Sequence, residues 1–248
     1  MLSRLFLYII FLPLFLFSQN QEVAIITKNK GSVQYQKNKS EELIKKINPG
    51  FELYNKDLLT TGSDGFAMFA YLDDGSLVKL HKDSKLYVGG DLKNNTINKE
   101  VNVDDGFILF DIKKQKNTQF KVVTPSSVAS VKGTVFILDV TDFGDVFYGL
   151  EGTVEVLNKE SNQKFSLQKS KKISSSIDGV LNIDNISNED ILYLKAVQEE
   201  TGSEMYQIDE NEIDTGNINQ ESETKELVII LTNSLGEEKR LIIKFNEQ

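Results

Sequence analysis

The sequence has no cysteine and no tryptophan, and it has one histidine and three prolines among its 248 residues. The absence of cysteine excludes disulfides, thiol nucleophiles and every thiolate metal site. With a single histidine, one chain cannot build a histidine-rich zinc or haem site. We therefore expect a core held together by packing, and we predict no cofactor, no metal ligands and no catalytic residues.

The first 18 residues have the pattern of an export signal. Arg4 precedes an apolar run from Leu5 to Phe17 that is broken only by Pro13, and polar residues follow. A transmembrane helix needs about 20 apolar residues, so this run is shorter than a membrane span and typical of a signal peptide. We predict a signal peptide over residues 1–18 and a periplasmic or extracellular protein. Membrane contact is expected only through this segment, if it stays uncleaved.

The net charge of −9 comes from one stretch near the C-terminus. Residues 199–226 hold ten acidic side chains and one basic side chain, and the rest of the chain has equal numbers of each. A balanced remainder offers no basic face, so we expect no nucleic-acid partner. Few large apolar residues occur here, and we interpret residues 201–226 as an acidic linker.

Residues 22–186 show the alternation and the glycine turns of a mainly β domain. Glycine followed by an apolar strand recurs at Gly31, Gly75, Gly106, Gly133 and Gly152. Glycine permits a sharp corner at a strand entrance because it has no side chain to clash. The pattern predicts a short β-solenoid or β-roll of stacked strands, with a β-sandwich as the alternative.

Two further elements are predicted after this domain. Ser187, followed by acidic residues, is typical of a helix start and predicts a short helix over residues 187–200. Two apolar runs separated by a turn-like segment predict a terminal β-hairpin over residues 227–246.

Two pairs of carboxylates could support chemistry. Asp73-Asp74 and Asp104-Asp105 each come directly before a glycine. Such pairs could hydrolyse glycans or bind calcium, but aspartate before glycine is also a turn signal, and we favour the turn.

The other reactive side chains also have structural explanations. Ser126, Ser127 and Ser130 lie near Lys132, and a serine–lysine nucleophile is conceivable there. No oxyanion-binding feature accompanies them, so we favour polar residues at a strand edge. His81 follows the inward-facing Leu80, and alternation predicts that the histidine lies on the surface.

The ordered motifs of residues 31–157 resemble the FecR domain, which is named for the ferric-citrate sensing regulator of Gram-negative bacteria. The resemblance includes a Thr-Pro step, an alternating run through Gly-Thr, and a closing Glu-Gly before the last strand. We predict that the motif residues are corner and packing residues of the fold: Gly75, Thr124, Pro125, Gly133, Thr134, Phe136 and Gly152.

The resemblance implies a short β-solenoid that binds or senses. In the founding members this domain is periplasmic, receives a signal from an outer-membrane receptor, and passes it to a cytoplasmic anti-sigma segment. We find no such cytoplasmic segment in this sequence. We therefore predict an exported, non-enzymatic binding, scaffold or envelope-sensing module whose partner is an envelope protein or polymer. The alternatives are a regulator in a sigma-factor signalling pathway and a carboxylate-based glycan hydrolase.

Overall fold

The computed structural model describes residues 21–93, 96–115, 119–201, 224–232 and 238–246. The chain forms two compact units, residues 1–210 and 211–248. The predicted signal peptide (residues 1–18) and most of the predicted acidic linker (residues 201–226) lie outside the described residues. The described part is mainly β with one helix, as the sequence predicts.

The first unit contains nineteen strands in its described part. In chain order they are β1 Glu22–Lys30, β2 Val33–Gln36, β3 Leu43–Ile44, β4 Glu52–Tyr54, β5 Asp57–Thr61, β6 Phe66–Tyr71, β7 Leu77–Leu80, β8 Lys85–Val88, β9 Asp91–Lys93, β10 Thr96–Asn98, β11 Glu100–Ile112, β12 Phe120–Val123, β13 Ser127–Val131, β14 Thr134–Thr141, β15 Gly144–Glu151, β16 Thr153–Asn158, β17 Lys164–Gln168, β18 Lys171–Ser176 and β19 Leu181–Asn185.

Strand pairing defines two long ladders, which we call the first and second sheets. The first has the order β4–β1–β6–β7–β11–β14–β15–β18–β19. The second has the order β3–β2–β5–β8–β11–β12–β13–β16–β17. Neighbours are antiparallel except β11 and β12, which are parallel. Strands β9 and β10 pair with each other.

Strand β11 belongs to both sheets, and it changes sheet at Gly106. Residues up to Asp105 pair with β8 and β12, whereas residues from Gly106 onward pair with β7 and β14. Gly106 has a φ of +104°, and a Cβ atom there would lie 2.4 Å from the Cα of Ser84. The Ser84 hydroxyl completes the bend by accepting the Phe107 N–H at 3.1 Å. The strand can cross between the sheets because residue 106 has no side chain.

Apolar side chains from both sheets meet in one core. Phe120 of β12 makes edge-to-face contacts with Tyr71 of β6 at 5.5 Å and with Phe110 of β11 at 6.0 Å between ring centroids. All three rings are fully buried or nearly so. Each contributes roughly 1.5–3 kcal/mol through burial, so this cluster fixes the two sheets against each other.

Helix α1, Asn188–Thr201, begins with a capping box. The Ser187 hydroxyl accepts the Asp190 N–H at 3.1 Å, and the Asp190 carboxylate accepts the Ser187 N–H at 2.7 Å. This reciprocal pair satisfies two backbone donors that the helix would otherwise leave unbonded. The ammonium group of Lys172 on β18 binds the same carboxylate at 2.8 Å and ties the helix start to the first sheet.

The helix lies against the outer face of the first sheet. Tyr193 contacts Phe107 at 6.0 Å between ring centroids and donates its hydroxyl hydrogen to Asp139 at 2.8 Å. Side chains alternate between the two faces of a strand. The buried apolar residues of β11, β14 and β15 that do not face the main core therefore lie on this outer face. The apolar side chains of this second layer are Phe107, Leu109, Ile137, Tyr148, Ile191, Leu194 and Val197.

The second unit contains two antiparallel strands, β20 Thr224–Thr232 and β21 Glu238–Asn246. They pair along their whole length, with Leu227 opposite Ile243. These strands fall where the sequence predicts a terminal hairpin. Within the described ranges, no helix has the length and apolar character needed to cross a membrane.

Replacement of Gly106 by alanine should lower the free energy of unfolding by more than about 2 kcal/mol, because it adds a clash with Ser84 to a strained backbone. Gly75→Ala is the matched control, since Gly75 has a φ of +71° but nothing lies within 4 Å of an added Cβ. The control should cost only about 1 kcal/mol. Equal losses in urea unfolding would show that the sheet crossing at Gly106 is not sterically constrained.

Candidate binding site

The first polar cluster surrounds the ammonium group of Lys99, whose side chain is 1% exposed. Its nitrogen lies 2.9 Å from Asp73 Oδ2, 2.8 Å from Asp74 Oδ2 and 5.4 Å from the centroid of the Tyr71 ring. Gln115 donates a further hydrogen bond to Asp74 at 2.6 Å. Burial alone would raise the pKa of Asp74, but the bonds from Lys99, Ser76 and Gln115 outweigh it and lower that pKa. Both carboxylates are thus used to neutralise a buried cation.

The second carboxylate pair lies in the middle of β11, directly before the bend at Gly106. Asp104 binds Lys85 at 2.7 Å, and Asp105 is opposite Lys85 in the strand register. The Asp73-Asp74 turn comes just before Leu77, which is opposite Asp111. Six strand residues between Asp105 and Asp111 span about 20 Å. Glycosidases need their two carboxyl groups about 5–9.5 Å apart, so these two pairs do not form one such site.

A buried hydroxyl cluster surrounds Asp145, which is 3% exposed. Its Oδ2 atom accepts hydrogen bonds from Thr124 and from Ser126. Ser127 donates to the Ser175 hydroxyl at 2.8 Å, and Asn158 donates to the same hydroxyl at 2.9 Å. These bonds join β13, β15, β16 and β18, so the cluster connects the two sheets.

The serine–lysine pair that the sequence makes conceivable is not assembled. Ser126 and Ser127 are buried at the start of β13, whereas Lys132 is exposed just beyond its other end. Five residues of extended strand separate Ser127 from Lys132 by roughly 17 Å. The interpretation of these serines as polar edge residues is also wrong for Ser126 and Ser127, because both hydroxyls lie inside the Asp145 cluster.

The sequence Gly-Thr-Val occurs at residues 133–135 and 152–154, and the two segments lie next to each other. A Cβ atom on Gly152 would lie 2.7 Å from the Gly133 carbonyl oxygen, and the Thr134 hydroxyl donates to the Thr153 carbonyl at 2.9 Å. Phe136 is fully buried and stacks on Phe110 at 4.9 Å between ring centroids. The remaining motif residues sit in turns: Gly75 follows β6, and Thr124 and Pro125 connect β12 to β13.

His81 is fully buried, so the prediction that it lies on the surface is wrong. Its ring makes edge-to-face contacts with Phe66 at 5.6 Å and Phe107 at 5.1 Å between centroids, and the backbone of Val197 hydrogen-bonds to it. Burial lowers the pKa of His81 to about 4. The sequence pattern fails here because the covering element, helix α1, lies more than 100 residues further along the chain.

A cavity of about 180 Å³ opens on the outer face of the first sheet, between two hairpin turns. Gly144 of β15 lies opposite Ser176, and in the next row Val146, Ser174 and Asn182 lie side by side across β15, β18 and β19. Gly144 has a φ of +141°, and an added Cβ atom would lie 2.3 Å from the Ser175 carbonyl oxygen, so β15 and β18 approach closely in this row. The cavity is lined by Thr141, Phe143, Gly144, Asp145, Val146, Ser174, Ser175, Ser176, Val180 and Asn182.

The rim of this cavity exposes apolar side chains. Phe143 is 85% exposed, Ile177 is 60% exposed and Val180 is 50% exposed. All three lie in the β14–β15 and β18–β19 turns. Scattered single exposures need no explanation, but three neighbouring apolar residues around a cavity indicate a candidate binding surface. We call these residues and the cavity the outer-face patch.

The described part of the chain is a mainly β domain in which the polar clusters stabilise the fold. The exposed feature that it offers for binding is a small apolar cavity. Among the described residues, no group of three or more histidine, aspartate or glutamate side chains could hold a metal ion. A family model described as FecR protein matches residues 57–156. This segment of the chain is therefore a FecR domain, and it contains Gly75, Thr124, Pro125, Gly133, Thr134, Phe136 and Gly152.

Two crystal structures of a provisionally assigned anti-sigma factor from Parabacteroides distasonis, at 1.65 and 2.50 Å resolution, are similar to the chain. Each is 17% identical in sequence, and the TM-scores are 0.45 and 0.46. The alignment covers 54% of this chain and 62% of those chains. The chain thus spans less than two thirds of the length of these proteins. No curated protein matches the chain significantly.

Replacement of Lys99 by methionine should lower the free energy of unfolding by about 3–5 kcal/mol, because two carboxylates would lose their buried cation. Lys113→Met is the control: its partner is Asp111 at 3.0 Å, and the Lys113 side chain is 51% exposed. That loss should stay within about 1 kcal/mol. Chemical unfolding measures both, and equal losses would contradict a structural role for the Lys99 cluster.

Acidification should destabilise the fold through His81. The folded pKa of about 4 lies below the ordinary value of 6.5, so the folded state favours the neutral ring. This stabilisation is complete above pH 6.5 and is lost as the pH falls through about 4, for a total of roughly 3 kcal/mol. Comparison of the unfolding free energies of the wild type and His81→Gln separates the effect of His81 from the effects of Asp105 and Asp139, whose pKa values burial raises. A difference that does not change with pH would contradict this assignment.

Proposed function

We propose that the chain is an exported, non-enzymatic binding module that senses or scaffolds a component of the cell envelope. The observation that carries this proposal is that reactive side chains in two polar clusters of the FecR segment are used by the fold. Asp73 and Asp74 bind Lys99, and Asp145 accepts hydrogen bonds from Thr124 and Ser126. The described domain leaves exposed an apolar surface around Phe143, Ile177 and Val180, which suits recognition of a partner.

We also propose that this module is a short β-solenoid. After β11 the hairpins alternate regularly: β12–β13 and β16–β17 extend the second sheet, and β14–β15 and β18–β19 extend the first. Each hairpin adds one layer in the same direction. Such stepwise growth supports a solenoid, in which each repeat contacts mainly its neighbours, over a sandwich with Greek-key connections.

The second candidate function is regulation of a sigma factor. The family match over residues 57–156 favours it, because the FecR domain is named for a regulator of this kind. In the founding members the domain receives a signal in the periplasm and passes it to an anti-sigma segment. Under this proposal the same binding surface would receive the signal.

Purified full-length chain should retain an envelope component reproducibly and should not hydrolyse envelope glycans. Asp105→Asn is the informative variant, since it removes a carboxylate that the fold does not pair with a cation in the described residues. Retention of a component by both proteins, with no hydrolysis by either, is the expected result. Glycan hydrolysis that disappears in a folded Asp105→Asn protein would overturn the proposal in favour of an enzyme. A change in sigma-factor-dependent transcripts on deletion of the chain would select the regulatory candidate.

A further inference from the structure

Strand β19 forms the last edge of the first sheet. Among the strands that the structure describes, it pairs with β18 alone. Four of its five residues are exposed, and Ile183 is 42% exposed. The strand contains neither proline nor lysine, two residues with which proteins commonly protect an exposed edge.

The register shows which backbone groups of β19 point outward. Ser176 donates its N–H to the Val180 carbonyl at 2.9 Å, and Ile186 donates its N–H to the Ser170 carbonyl at 3.1 Å. Hydrogen-bonded pairs alternate along an antiparallel ladder, so Asn182 and Asp184 face β18. The N–H and C=O groups of Leu181, Ile183 and Asn185 therefore face away from the sheet.

The cavity lies directly beside this edge. Asn182 ends the row Val146–Ser174–Asn182, so a strand added along β19 would place its next side chain in line with that row. The cavity volume of about 180 Å³ is below the roughly 300–1,000 Å³ of small-molecule sites. It is therefore suited to one inserted side chain more than to a complete small ligand.

Charge around the patch favours one kind of segment. The lining contains no basic side chain. Exposed carboxylates flank it at Asp142 and Asp178, each in one of the two turns that form the cavity. A large apolar residue with lysine or arginine near it would fill the cavity and complement these charges.

We propose that the β19 edge and the outer-face patch bind an extended segment of a partner protein. The segment adds a strand to the first sheet through Leu181, Ile183 and Asn185, inserts a large apolar side chain beside Phe143, and carries basic residues. This inference rests on the proposed binding function and specifies its surface. In this mode of peptide recognition, main-chain hydrogen bonds supply affinity and a side-chain pocket supplies specificity.

Selection of a displayed library of random peptides, each about ten residues long, on the full chain tests the proposal. We expect enrichment of peptides with alternating apolar residues and nearby lysine or arginine. Ile183→Pro removes an outward N–H without touching a bond to β18, and it should weaken binding about tenfold. Ser174→Phe should also weaken binding, because the phenylalanine ring would occupy the cavity.

Ser166→Pro is the matched control on the other sheet. Asn158 donates to the Gln163 carbonyl at 3.0 Å, so alternation turns the Ser166 N–H outward on the edge strand β17. This variant should bind the selected peptides as the wild type does. Failure to enrich peptides, or equal binding by folded Ile183→Pro and Ser174→Phe proteins, would overturn the proposal. Vesicles of phosphatidylglycerol provide a further test. The proposal would also be overturned if the wild type captures these vesicles, Phe143→Ser does not, and no peptide is enriched.

The two proposals fail in different ways. If Ile183→Pro still retains the envelope component that the wild type retains, the binding function stands and the β19 surface is wrong. If the wild type retains no component and enriches no peptide, the binding function itself is wrong.

Discussion

The bend of β11 at Gly106 is the constraint on which the two-sheet arrangement depends. This strand supplies a central position in both sheets, because residues before Gly106 pair with β8 and β12 and residues from Gly106 onward pair with β7 and β14. Lys99, immediately before β11, holds the strand start against the β6–β7 turn through Asp73 and Asp74. Two features thus set the path of the chain. One is the lack of space for a side chain at Gly106, and the other is the buried ion cluster around Lys99.

This arrangement explains why polar residues such as Asp145, Thr124 and Ser126 are used by the fold. A stack of short strands has many corners, and each corner leaves backbone groups that side chains must satisfy. Asp145 with Thr124 and Ser126, and Asp57 with Tyr35 and the backbone of Asn38 and Tyr54, serve this purpose. The FecR motif therefore describes the construction of the module. The exposed edge and cavity lie where this construction stops, at the last hairpin.

Much of the fold could be predicted from local sequence signals. Asp74-Gly75 predicted a turn, and Gly75 has the positive φ that such a turn requires. Ser187 predicted a helix start, and its capping box is present. These signals work because turns and caps depend on residues only a few positions apart.

Features that depend on distant residues could not be predicted in this way. The burial of His81 requires helix α1, and the neutralisation of Asp73 and Asp74 requires Lys99. The cavity requires residues of the β14–β15 and β18–β19 hairpins, which lie some 30 residues apart in the chain. Its only sequence signal was Phe143, an aromatic residue in a turn next to glycine.

Hydrogen exchange at single amides of β19 tests the central claim, that the exposed edge of this strand is the binding surface, most directly. In the free protein the amides of Asn182 and Asp184 should be protected by β18, whereas those of Ile183 and Asn185 should exchange quickly. Addition of the bound partner or of a selected peptide should slow exchange at Ile183 and Asn185. Unchanged fast exchange at both amides in the saturated complex would contradict the account.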